Sequence, residues 1–81
     1  MALRLQPVRV ATGSDDEEGI LVQADGRLVA VLVRLSGEEH GDLRGAWFLE
    51  AGFGRCDAAN PPVFPSLDAA QDWIERRVRQ S

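Results

Sequence analysis

The chain has 81 residues, 13 acidic against nine basic, and a formal net charge of −4. That length makes one domain, residues 1–81, near the lower limit at which a hydrophobic core holds without staples. A hydrophobic content of 44% is ordinary for a globular chain and argues against global disorder, while the acidic balance sets up a field that repels a phosphate backbone and disfavours nucleic acid as a partner.

Every basic residue is an arginine, and tyrosine is absent. With abundant Ala, Gly, Asp and Val, this composition points to a GC-rich bacterial genome. The longest apolar run, Leu28 to Val33, is far short of the ~20 residues that span a bilayer. No charged segment followed by an apolar one opens the chain, because Arg4 and Arg9 interrupt it. The single cysteine, Cys56, closes no internal disulfide and no C-x-x-C metal pair. These features together read as a soluble cytoplasmic protein without a membrane segment.

Residues 1–17 form an N-terminal arm or edge strand followed by an acidic loop. In LRLQPVRVA, residues 3–11, apolar and polar positions alternate on either side of Pro7, which has no N–H to donate. TGSDDEEG, residues 12–19, is a solvated loop. Its four successive acids lack the D-x-[DN]-x-[DN]-G spacing that brings oxygen ligands onto calcium.

Residues 18–53 read as a β-meander. Its first hairpin turns at Asp25-Gly26, a pair suited to the positive φ angles of a type I′ turn. A regular register from that turn sets Ala24 opposite Arg27, Val22 opposite Val29 and Ile20 opposite Val31. Cross-strand partners share a face. One face is then Ile20, Val22, Val29, Val31, Val33 and Leu35, and the other Leu21, Gln23, Leu28, Ala30, Leu32 and Arg34. A strand apolar on both sides implies that something covers both. Leu21, Leu28, Ala30, Leu32 and Arg34 are therefore the candidate interaction face.

The connection SGEEHGDLRG, residues 36–45, is polar and glycine-rich. After it, Trp47, Leu49, Ala51 and Phe53 alternate with Ala46, Phe48 and Glu50 as a third strand, which Gly52 and Gly54 break. RCDAANPP is turn chemistry. Residues 66–80 are a helix: Ser66 is the N-cap and Asp68 lies in the first turn. Leu67, Ala70, Ile74 and Val78 share its apolar face beside Trp73, and Asp72–Arg76 and Glu75–Arg79 are i,i+4 pairs. The predicted fold class is α+β, an antiparallel meander of three strands with the C-terminal helix packed on the Ile20/Val31 face. Pairing of residues 3–11 adds a fourth strand.

Catalytic constellations are sparse. His40 is the only histidine and lies in GEEHGDL, where neighbouring carboxylates favour imidazolium over a thiol-activating base or a neutral metal ligand. A weak divalent-ion site at His40 and its acids is the sharper alternative. Cys56 stands between Arg55 and Asp57, whose effects on a thiol oppose each other, and reads as a small residue of a turn. No nucleophile elbow, H-E-x-x-H or phosphate loop occurs, and G-F-G-R-C-D lacks the third glycine of a dinucleotide fingerprint. No catalytic residue, metal or cofactor is expected.

FPSLDAAQDWIERR, residues 64–77, resembles the end of the arm-type DNA-binding domain of phage-like integrases, where an aromatic residue, a cap and an A-x-x-W-[IL] helix follow a three-stranded sheet. The likeness covers about a sixth of the chain and implies a way of docking a helix on a small sheet. That family presents basic and polar residues to the major groove. Here the corresponding face is Leu21, Leu28, Ala30 and Leu32. The leading expectation is a non-catalytic interaction or assembly module, binding an unidentified protein or a second copy of itself. The alternative is a nucleic-acid-binding domain of β-β-β-α type using Arg4, Arg9, Arg34, Arg44 and the cluster Arg76, Arg77 and Arg79.

Overall fold

The structure is a computed structural model that describes residues 3–11, 18–36 and 38–79, with residues 38–40 described by their backbone alone. It is an α+β fold. Strands β1 (Leu3–Arg9), β2 (Glu18–Ala24), β3 (Arg27–Arg34), β4 (Trp47–Gly52) and β5 (Val63–Phe64) form an antiparallel sheet in chain order. Helix α1 (Leu67–Arg79) packs on one face of it. The sheet thus exceeds the expected meander at both ends. Residues 3–9 pair along β2 as an edge strand, in keeping with Pro7, and the two-residue β5 follows the RCDAANPP turn, where the sequence assigned no element.

The β2–β3 turn is as its residues dictate, with φ of 53° at Asp25 and 81° at Gly26. Ala24 does lie opposite Arg27, and Gln23 opposite Leu28. Beyond that point the expected register fails. Val29 is an extra residue, so Val22 pairs with Ala30, Leu21 with Val31 and Ile20 with Leu32. A bulge shifts every later side chain of β3 to the opposite face. The Ile20/Val31 surface is therefore corrected: Ile20, Val22, Ala30 and Leu32 lie together under the helix, while Val31 and Val33 point the other way.

A second bulge follows between β3 and β4. Leu49 pairs with Leu32 and Ala51 with Val31, which leaves Glu50 unpaired. Trp47 and Leu49 consequently face the helix, whereas Ala51 lies on the other side of the sheet. Phe53, expected to continue the alternation, is 48% exposed beyond the strand end.

The core lies between sheet and helix and contains Ile20, Val22, Ala30, Leu32, Trp47, Leu49, Cys56, Phe64, Ala70 and Ile74. Leu3, Leu5, Val29, Leu67, Trp73 and Val78 pack around it. At the helix start the Ser66 hydroxyl accepts a hydrogen bond from the Ala69 N–H at 3.1 Å, as its N-cap assignment requires. Trp73 is held on two sides, by the Phe64 ring at 5.6 Å between centroids and by the Arg77 guanidinium 4.5 Å from its ring centre. No helix of the described residues is long and apolar enough to cross a membrane.

Candidate interaction face

Only one side of the sheet carries the helix. The paired positions on the other side run from Arg4, Gln6 and Val8 on β1, through Gly19, Leu21 and Gln23 on β2, to Leu28, Val31 and Val33 on β3. Phe48 and Ala51 on β4 and Val63 on β5 complete it. The arm covers one end. Val8 and Val10 lie so close over Gly19 that a Cβ there would meet the Val10 Cγ2 at 2.5 Å, and Val33, paired with Gly19, is buried. Away from that end Leu21, Val31, Phe48 and Ala51 are half-buried, and Val63 is 38% exposed.

None of the paired positions on this open face is an acid, although the chain has 13 of them. Arg4 is the one charged residue among them. A half-buried apolar sheet face of this extent is the kind of surface that monomeric proteins keep small or use.

The residues expected to form the interaction face do not come together. Leu21 and Leu28 are on the open face, Leu28 with 38% exposure. Ala30 and Leu32 are fully buried beneath the helix, each with 0% exposure. Arg34 pairs with Trp47 on the helix side and makes a 3.4 Å ion pair with Glu18. The cause is the Val29 bulge, which has no side-chain signature in a run of apolar residues. Val31, Phe48, Ala51 and Val63 were missed for the same reason: their faces depend on bulges at Val29 and Glu50 and on a short fifth strand.

The helical arginines are engaged locally. Arg76 meets Asp72 at 3.1 Å and Arg79 meets Glu75 at 2.9 Å, while Arg77 covers Trp73. The two ion pairs are solvent-exposed and contribute little to stability. Cys56 ends a short 3-10 turn, Gly54–Cys56, and its side chain enters the core. Burial pushes its thiol pKa up, and the Arg77 charge only partly opposes this. A protonated, enclosed thiol is a poor nucleophile. Of the acidic loop expected at residues 12–19, Glu18 and Gly19 belong to β2, while residues 12–17 and the His40 side chain, with the metal sites considered for them, lie outside the described residues.

Comparison with protein-family models, with curated proteins and with solved structures finds no match to this chain.

Proposed function

We propose that this chain is a non-catalytic assembly module that docks a second copy of itself across the open sheet face. The observation that supports it is the apolar surface around Leu21, Val31, Phe48 and Val63, with no acid among its paired positions, on the side of the sheet opposite the helix. A two-fold contact sets a patch against itself. On a chain of net charge −4, a face with no carboxylate at its paired positions is one on which such a contact meets reduced like-charge repulsion. The enclosed thiol of Cys56 and the absence of tyrosine and lysine support a role without proton chemistry. The lone cysteine and the arginine-only composition favour a cytoplasmic, bacterial setting.

The test is sedimentation velocity across a concentration series of the wild type and of Phe48→Glu. The expected result is a reversible monomer–dimer transition in the wild type that the carboxylate abolishes, because burying an unpaired charge opposes association. A wild type that stays monomeric at the highest concentration, or a Phe48→Glu variant that still associates, rejects this reading.

A further inference from the structure

A separate concavity lies at the other end of the sheet, where the β2–β3 turn, the Val29 bulge and the 53–55 turn meet the last turns of α1. It measures about 640 Å³ and is lined by Ala24, Arg27, Leu28, Val29, Phe53 and Val78, with Asp25, Gly54 and Arg55 completing it. That size is in the range of clefts that take small organic ligands.

Three observations distinguish it from an ordinary surface dip. Two of the exposed large apolar side chains, Leu28 and Phe53, line this one cleft. Its wall is built: the Phe53 N–H donates to the Val29 carbonyl at 3.0 Å and fixes the turn against the bulge. Bulges commonly occur where a strand is shaped around a site. Finally, Arg27 and Arg55 both line the cleft, and neither guanidinium has an ion-pair or side-chain hydrogen-bond partner among the described residues. Arg34, Arg76 and Arg79, by contrast, are each held in an ion pair.

We infer that this cleft binds a small organic acid with an apolar body, its hydrocarbon part against Val29, Phe53 and Val78 and its carboxylate on Arg27 and Arg55. Guanidinium and carboxylate match in charge and in planar two-point geometry. Asp25, the one acid in the lining, makes no ion pair with either arginine and leaves both charges available to an anion. The site shares only Leu28 with the paired positions of the open face.

The probe is 3-phenylpropanoate, titrated into the isotope-labelled full chain and followed by amide chemical shifts, with the neutral 3-phenylpropanamide in a parallel arm. Saturable shifts confined to residues 27–29 and 53–55, with the acid bound about ten-fold more tightly than the amide, are the expected result. Arg27→Gln combined with Arg55→Gln removes the preference for the acid while the remaining spectrum stays unchanged, since both side chains are exposed. Non-saturating shifts, equal response to acid and amide, a preference that survives the double substitution, or shifts centred on Val31 and Phe48 overturn the inference. The double variant's unchanged spectrum distinguishes loss of the site from loss of the fold.

Discussion

Gly52 ends β4 where the chain folds back over itself, and a Cβ at that position would collide with the Cys56 carbonyl. The obstacle is backbone, which cannot swing aside as a long side chain can. Gly52→Ala is therefore expected to cost about 2–3 kcal/mol, read from urea unfolding by tryptophan fluorescence. Gly26, with φ of 81° and open space around it, pays only a conformational penalty. Gly26→Ala should cost about 1–2 kcal/mol. Equal stability of Gly52→Ala and wild type means that residues 52–56 do not approach as described. Cys56 beside it ends a turn, and its side chain belongs to the core. Cys56→Ser introduces a hydroxyl into apolar surroundings and should cost about 1–3 kcal/mol. Because burial raises the folded-state thiol pKa above its ordinary 9.0, the linked stability is fully present below the unfolded thiol's pKa. It is lost as pH rises through the unfolded and then the folded value. Native-state alkylation at pH 8 should be slow and should accelerate sharply in denaturant. Fast modification without unfolding contradicts the buried placement.

At the scale of elements, the bulge at Val29 decides which half of β3 is core. Leu32→Glu sets a carboxylate among Ile20, Leu49 and Ile74 and is expected to destabilise by more than about 4 kcal/mol. Val31→Glu, one residue away, places the same group on the half-buried open face and should cost about 1 kcal/mol. Circular dichroism and urea titration of the two variants measure the difference directly, and the opposite ranking would restore the regular register. Much of this architecture was legible in the sequence. Asp25-Gly26 announced its turn, Ser66 its cap, and the spacing of Leu67, Ala70, Ile74 and Val78 its buried stripe, because each of these is a local rule acting over a few residues. Pro7 correctly marked β1 as an edge. The candidate face was not legible, since a period-2 pattern assigns sides only while the pairing is unbroken. Leu28 to Val33 is apolar at every position and carries no mark of the extra residue. The pairing of Val63-Phe64 with Phe48-Trp47 depends on contact across the 53–62 connection, which local composition does not encode.

For the whole molecule, charge and shape limit what can be bound. The net charge of −4 opposes approach to a phosphate backbone, and Arg76, Arg77 and Arg79 are engaged locally. A labelled DNA duplex at ~50 mM salt is expected to show no saturable binding. Micromolar affinity with a steep salt slope, lost on replacing those three arginines, would favour a nucleic-acid role instead. The account centres on the open sheet face as a contact between copies. Its most direct measurement is a filtered NOE experiment on an equimolar mixture of isotope-labelled and unlabelled chain at millimolar concentration. The predicted result is intermolecular NOEs joining the methyl groups of Leu21, Val31 and Val63 to the Phe48 ring. Absence of intermolecular NOEs, or their appearance only at α1 or the β1 edge, would contradict it.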